Sequence, residues 1–194
     1  MDQNDWNRLG VIVALAEKMQ ERKIDMGRTA LMKFAYLLQT VKKVPLGYDF
    51  TLYSYGPFDS MVLDDLSYAG TLGAVKERTI SYAASYGYDI KPAEHAQQIK
   101  EKAQVFLNAQ TRDMDWVINE FGSRGAGLLE LLSTIVYADQ EMLQKQTSRR
   151  IKELAAIVQK IKPHFALSQV EKSIQELNQR GLLVAVSDAG QIAD

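Results

Sequence analysis

The sequence of 194 residues lacks cysteine and contains only two histidines, His95 and His164. Without cysteine the chain forms no disulfide, no cysteine-ligated zinc site and no iron–sulfur cluster, and it offers no thiol nucleophile. Neither histidine has a second histidine three or four residues away, so a helical pair of metal ligands is also missing. We therefore expect no metal site and no other cofactor.

Long hydrophobic runs and an excess of one charge are missing as well. The longest apolar run covers residues 11–16, far fewer than the roughly 20 residues that span a bilayer. The first residues are acidic, whereas a secretory signal is basic. The formal net charge of −1 differs from the strong positive charge of a dedicated nucleic-acid binder. The sequence predicts a soluble, cytoplasmic protein without a membrane partner.

Motifs for enzymatic catalysis are also missing from the sequence. It contains no nucleophile elbow, no phosphate-binding loop and no dinucleotide fingerprint. The neighbouring acids Asp64 and Asp65 point about 100° apart on a helix, so they do not face each other as an acid–base pair would. We predict a protein that is not an enzyme and has no catalytic residues.

Helical periodicity of the apolar residues dominates what is present. Spacings of three and four residues predict helices over residues 6–20, 27–41, 93–109, 114–121, 128–138, 149–161 and 168–180. Ser168 and Glu171 form a predicted capping box at the start of the last helix. A shorter helix is expected after Asp59 or Ser60, either of which can cap it.

Alternating patterns predict strands between the helices. Aromatic and β-branched residues predict a strand over 48–55, which Gly56 and Pro57 are expected to stop. Residues 74–82 and 86–91 are predicted to pair as a hairpin, and residues 182–186 as a short final strand. Helices are thus followed by strands twice along the chain.

This order favours an α+β, mostly α-helical fold with two winged-helix-like units joined by linking helices. We predict a first unit with tyrosine-rich strands over residues 1–92, linking helices over 93–122 and a second unit over 123–194. The glycine-rich run GSRGAG at residues 122–127 marks the boundary before the second unit.

Tyrosine is concentrated in one part of the chain. Seven of the nine tyrosines lie there: Tyr48, Tyr53, Tyr55, Tyr68, Tyr82, Tyr86 and Tyr88. Tyrosine combines a large contact area with a polar tip, so exposed clusters suit protein interfaces. Strands also favour aromatic rings that simply pack on the sheet. We predict that these tyrosines bind a partner protein, with packing as the alternative.

Basic residues are concentrated between residues 145 and 162, where six lysines or arginines accompany one glutamate. Such a cluster at the entry of a winged helix can contact phosphates, and the next helix can read base edges. The candidate nucleic-acid-binding residues are Arg149, Arg150, Lys160, Lys162, Lys172 and Gln175. A solvated helix surface is the alternative interpretation.

Four short motifs resemble a known family. LMKFAYL at residues 31–37 is similar to the L-x-K-[LF]-x-Y-[LF] segment of the YwgA-like proteins and of the related SocA-like antitoxin (Panacea) domain. YGPF at 55–58 looks like their Y-G-P signature, and residues 129–137 and 162–165 are similar to the second half of YwgA-like chains. The YwgA-like resemblance covers most of the chain, and the antitoxin-domain resemblance mainly its first half. The family-motif residues are Lys33, Tyr36, Gly56 and Pro57.

The resemblance implies a bacterial, archaeal or phage-borne family without an established enzymatic activity. Its better-known relatives neutralise toxins by binding them, and one delivers its toxin to a protease as an adaptor. No catalytic residues come with the family. We interpret the motif residues as structural: Lys33 reaches solvent from a helix with buried neighbours, and Gly56 and Pro57 enforce a turn from strand to helix.

The linking helices carry more apolar residues than a linker requires: Ile99, Phe106, Leu107, Trp116, Val117 and Phe121. Two-fold symmetry is the usual route to a closed assembly, so we predict a homodimer through these helices. Packing within one chain is the alternative.

The sequence therefore predicts a non-enzymatic binding protein, antitoxin-like or regulatory, that acts through protein–protein contact with a partner such as a cognate toxin. The alternative is a winged-helix transcriptional regulator that binds DNA.

Overall fold

The computed structural model describes residues 1–82, 85–145 and 150–184. Within these residues the protein has the predicted α+β, mostly α-helical fold. The helices are α1 (Gln3–Glu21), α2 (Arg28–Val41), α3 (Ser60–Thr71), α4 (Ala96–Lys102), α5 (Gln104–Phe121), α6 (Ala126–Gln144), α7 (Ile151–Ile161) and α8 (Leu167–Gln179). The strands are β1 (Thr51–Tyr53), β2 (Gly56–Phe58), β3 (Val75–Tyr82) and β4 (Ser85–Pro92), which form two two-stranded sheets, β1–β2 and β3–β4. No helix among the described residues is long and apolar enough to cross a membrane.

The chain divides into two compact units. Unit 1 comprises Met1–Thr51 and Phe58–Ala126, and unit 2 comprises Leu52–Pro57 together with the described residues from Gly127 onward. The predicted linking segment, residues 93–122, thus lies within unit 1. The tip of the β1–β2 hairpin belongs to unit 2, although its flanking residues belong to unit 1.

Unit 1 is built around α1, which packs against α3, α4, α5 and β4. Leu9, Val13 and Leu15 of this helix are fully buried, so its apolar surface is covered on several sides. The predicted helix over 93–109 is in fact two helices, because the chain breaks at Ala103 between α4 and α5. This break places Ala103 against Gly10 of α1.

The apolar residues predicted to form a dimer surface belong to the core of unit 1. Ile99, Leu107, Val117 and Phe121 are buried, while Phe106 and Trp116 are half-buried. The prediction that these six residues pair two copies of the chain is therefore wrong for the four buried ones, because α4 and α5 pack on α1 instead.

The predicted hairpin of β3 and β4 is confirmed. The two strands pair antiparallel from Val75 opposite Pro92 to Tyr82 opposite Ser85. The Asp89 carboxylate in β4 is fully buried and accepts a hydrogen bond from the Met26 main-chain nitrogen at 3.2 Å. The Ile90 main-chain nitrogen donates to the Met26 carbonyl at 2.8 Å, which fixes β4 beside the segment before α2.

The strand predicted over residues 48–55 is much shorter than expected. Main-chain groups of Tyr48 bond to the side chain of Gln39: Gln39 Nε2 donates to the Tyr48 carbonyl at 2.8 Å, and the Tyr48 N–H donates to Gln39 Oε1 at 2.9 Å. The Gln39 side chain thus makes the two main-chain hydrogen bonds that a neighbouring strand would otherwise make to Tyr48. The prediction that Gly56 and Pro57 stop the strand is wrong, because they form β2.

In unit 2, α7 and α8 pack against each other through buried residues that include Leu154, Val158 and Ile174. The predicted capping box at Ser168 is wrong: the N-cap of α8 is Ala166, and Ser168 lies within the first turn. Residues 182–184 are not a strand, and the remainder of the strand predicted over 182–186 lies outside the described residues.

Candidate functional site

The β1–β2 hairpin presents two of the predicted tyrosines on its turn. Tyr53 ends β1, and Ser54 and Tyr55 form the turn that leads to Gly56 at the start of β2. Tyr53 is 67% exposed and Tyr55 is 73% exposed. We call residues 53–56 the tyrosine turn.

A buried lysine holds the tyrosine turn from beneath. The Nζ atom of Lys162 donates a hydrogen bond to the Ser54 carbonyl oxygen and lies 2.6 Å from Glu130 Oε1. Lys162 is only 2% exposed, and Glu130 is also buried. A buried ammonium group is costly unless an opposite charge and an acceptor accompany it; here a carboxylate supplies the charge and a main-chain carbonyl accepts the hydrogen bond.

The helical neighbours of this ion pair explain why these residues meet. Lys162 is the C-cap residue of α7, and its side chain follows Val158 by one helical turn on the buried side of that helix. Glu130 lies in the first half of α6 and is the one charged residue in the largely apolar run over residues 128–136. His164 lies just beyond α7, with its Nε2 atom 3.8 Å from Glu130 Oε1, and is mostly exposed.

Gly56 completes the tyrosine turn by close packing on α6. Its φ of +88° lies in the region that favours glycine, and a Cβ atom there would lie 2.9 Å from Thr134 Oγ1. Thr134 Oγ1 donates to the Glu130 carbonyl at 2.7 Å, so the hydroxyl has a fixed position. The Y-G-P motif therefore marks a tight hairpin turn against a helix, and the predicted turn from strand to helix at these residues is wrong.

Tyr48 does not belong to this exposed group. Tyr48 is 7% exposed, and its hydroxyl donates to Asp65 Oδ2 at 2.8 Å. The pKa of Tyr48 is raised well above its ordinary value, chiefly by burial and further by the charge of Asp65 and this hydrogen bond. The prediction that Tyr48 contacts a partner is wrong, because its contacts are internal.

The other predicted tyrosines lie in unit 1. Tyr68 of α3 and Tyr86 of β4 are exposed, and the Tyr86 ring packs edge-on against Tyr88 at 6.0 Å between centroids. Tyr88 is half-buried beneath the Arg28 guanidinium, which lies 3.9 Å from the ring centroid. The Tyr82 side chain lies outside the described residues.

The predicted nucleic-acid-binding residues divide by exposure. Arg150, Lys160, Lys172 and Gln175 are exposed. Lys162 is not available to a phosphate, because it is buried and paired with Glu130, so that part of the prediction is wrong. Arg149 lies outside the described residues.

The other two family-motif residues are buried in α2. Lys33 is 2% exposed, so the prediction that its side chain reaches solvent is wrong. Tyr36 is also buried, and its ring packs edge-on against Phe50 at 5.2 Å between centroids. Both residues therefore act within the core of unit 1.

Unit 1 also contains a polar groove of about 300 Å³ between α1, α4 and α5. Its two lysines are engaged in ion pairs, Lys100 with Glu17 and Lys18 with Asp115, each at 2.6 Å. Among the described residues no group of three or more histidine, aspartate or glutamate side chains is placed to hold a metal ion. The tyrosine turn is thus the better candidate for a functional site.

The chain matches no protein-family model and no curated protein. The case for a function therefore depends on the geometry of the described residues. Membership of the YwgA-like family stays a prediction from its short motifs.

Proposed function

We propose that the protein binds another protein through the tyrosine turn and acts without catalysis, as an antitoxin-like or regulatory module. The observation that carries this proposal is that Tyr53 and Tyr55, 67% and 73% exposed, lie on a turn held by buried residues. Tyrosine is enriched among the residues that contribute most to protein interfaces. A turn that is already ordered loses little conformational entropy on binding, which favours affinity.

The family resemblance supports the same kind of partner. Relatives of the family bind toxins, and the tyrosine turn coincides with the Y-G-P motif that carries part of the resemblance. A toxin protein is therefore the partner that we propose first, and the same interface serves a regulatory partner equally well. Self-association as a homodimer remains a proposal, with a surface other than the buried residues of α4 and α5.

Site-directed cross-linking tests the proposed surface. We would replace Tyr55 with a photoreactive phenylalanine analogue, and Val105, which is 87% exposed on α5, with the same analogue as a control. A specific partner is expected to cross-link from position 55 and not from position 105. Equal labelling from both positions would count against a defined interface at the tyrosine turn.

Affinity measurements with the purified cross-linked partner complete the test. Tyr53→Ala and Tyr55→Ala are each expected to weaken binding by about 30-fold, the effect of a typical interface hot spot. Tyr86→Ala is the matched control, because this tyrosine is similarly exposed on β4. If only Tyr86→Ala weakened binding, the interface would lie on the β3–β4 hairpin and the proposal would be wrong.

DNA binding by α8 is the second candidate. The exposed side of this helix carries Gln169, Lys172 and Gln175, while Glu171 and Glu176 are half-buried. Amide side chains pair well with adenine edges, and a lysine can contact guanine or phosphate. We propose winged-helix-like units for both parts of the chain, supported in unit 1 by the order of α1, α2, α3 and the β3–β4 hairpin.

Fluorescence anisotropy with promoter-length DNA tests this alternative. Lys172→Ala combined with Gln175→Ala is expected to abolish specific binding, and Arg150→Ala and Lys160→Ala to reduce the salt dependence of affinity. Gln104→Ala, an exposed change on α5, is the control. Absence of binding at low salt by the unmodified protein would exclude the candidate.

A further inference from the structure

We propose that Lys162 is a positioning residue that sets the direction in which the tyrosine turn presents Tyr55. This inference depends on the proposed protein-binding function, and it adds that partner affinity is controlled from the buried side of the turn. Lys162 touches no partner in this scheme. It acts through the Ser54 carbonyl and through Glu130.

The hairpin alone is too short to fix its own turn. Both strands have three residues, and an isolated two-stranded hairpin is marginally stable in water. Ser54 and Tyr55 are exposed, so the side chains at the tip add little packing. The contacts beneath the turn, from Lys162 to Ser54 and from Gly56 to α6, therefore order it.

A buried ion pair is an unusual means of ordering a turn if stability is the only requirement. Apolar side chains of similar volume often stabilise a fold equally well or better. An ammonium group adds what an apolar group lacks, namely a directional hydrogen bond to one carbonyl oxygen. Lys162 donates this hydrogen bond to the carbonyl oxygen of Ser54, which lies 108 positions earlier in the chain and directly precedes Tyr55.

Glu130 links this bond to α6. Its carboxylate lies 2.6 Å from Lys162 Nζ, and its own main-chain carbonyl accepts the bond from Thr134 Oγ1, the atom that a Cβ at Gly56 would meet first. The two supports of the turn thus meet at one residue of α6. Removal of the ion pair is expected to loosen Ser54 and Tyr55 while the contact of Gly56 remains.

The test uses the full chain and the double variant Lys162→Met with Glu130→Gln, in which neither partner leaves an unpaired charge. Lys152→Met is the matched control, because Lys152 is exposed on the same helix and has no part in either proposed binding surface. The carbonyl carbon of Ser54 and the amide nitrogen of Tyr55 report directly on the hydrogen bond in nuclear magnetic resonance spectra. We expect both signals to move upfield in the double variant and to stay unchanged in the control.

Affinity for the purified protein that cross-links at residue 55 is the second measurement. The double variant is expected to bind at least tenfold more weakly, while Lys152→Met binds as the unmodified protein does. Unchanged turn signals, or shifted signals with unchanged affinity, would overturn the positioning role. If Tyr55→Ala itself left affinity unchanged, the proposed function would fail instead, so the two failures are distinguishable.

A second variant guards against loss of folding. Lys162→Met with Glu130→Met replaces both charged groups by unbranched apolar side chains, a change that buried ion pairs commonly tolerate. Shifted turn signals and weaker binding in this variant support the proposal in the same way. Failure of both double variants to fold would assign the ion pair to the fold as a whole and overturn the proposal.

Discussion

Arg8 and Asp65 form a buried ion pair between α1 and α3, in which Arg8 Nε donates to Asp65 Oδ2 at 2.7 Å. The same carboxylate oxygen accepts the hydroxyl of Tyr48. Burial alone would lower the pKa of Arg8, but the hydrogen bond and charge of Asp65 outweigh it and raise that pKa. One carboxylate therefore satisfies two buried groups of unit 1.

Asp65→Ala is expected to lower the free energy of unfolding by about 3 kcal/mol, because it removes one partner of a buried pair. Asp64→Ala is the matched control, since the neighbouring Asp64 is exposed, and it should change stability by less than about 0.5 kcal/mol. Urea unfolding of both variants measures the difference. Equal effects would show that the pair contributes nothing beyond a surface carboxylate.

Alkaline pH is expected to destabilise the protein through Tyr48. The pKa of Tyr48 is raised in the folded state, chiefly by burial, so folding favours the neutral phenol. The resulting stability is fully present below the unfolded-state pKa of about 10 and is lost as the pH rises above it. Urea unfolding from pH 8 to 11 should show this loss, and Tyr48→Phe should reduce the slope. An identical slope in Tyr48→Phe would contradict the prediction.

Gly56→Ala is expected to destabilise the protein by about 2 kcal/mol or more. The new methyl group would meet Thr134 Oγ1, and alanine disfavours a φ of +88°. Gly70→Ala in α3 is the control: apart from the backbone of its own helix and its chain neighbours, no atom lies within 4 Å of its added Cβ, and alanine should stabilise the helix by up to about 1 kcal/mol. Thermal unfolding measures the stability change of each variant, and a stability change of the same sign in both would refute the strain at Gly56.

Phe121→Asp is expected to unfold unit 1 rather than to dissociate a dimer. Phe121 is buried, and its ring packs edge-on against Trp116 at 5.5 Å between centroids, so a carboxylate there has no suitable surroundings. Val105→Asp places the same charge on the exposed side of the same helix and should leave stability nearly unchanged. Circular dichroism and light scattering distinguish the outcomes. A folded monomeric Phe121→Asp variant derived from a dimer would restore the predicted interface.

Local patterns predicted most helices and the β3–β4 hairpin, because these elements depend on periodicity within a short window, but they misplaced the break between α4 and α5. The β1–β2 hairpin was missed because its geometry depends on distant groups. The side chain of Gln39 bonds to Tyr48, and Lys162 bonds to Ser54 across most of the chain. The strand and turn propensities of residues 48–58 carry no information about either of these hydrogen bonds.

The sequence did carry one signal for the buried ion pair. Lys162 follows Leu154 and Val158 at four-residue spacings, which places it on the buried side of α7 and not on its solvated side. Glu130 interrupts an apolar run in a similar way. A charged residue on each of two apolar helix faces indicates a buried pair, whereas counting charges between residues 145 and 162 suggested a phosphate-binding cluster.

The assignment of Leu52–Pro57 to unit 2 has a consequence for biosynthesis. The tyrosine turn leaves the ribosome 108 residues before the lysine that holds it. At a translation rate of about 5–20 residues per second, Lys162 is synthesised roughly 5–20 seconds after Ser54. A fragment that starts at Gly127 would lack six residues of unit 2. Unit 2 therefore cannot be expressed as one continuous segment of the chain.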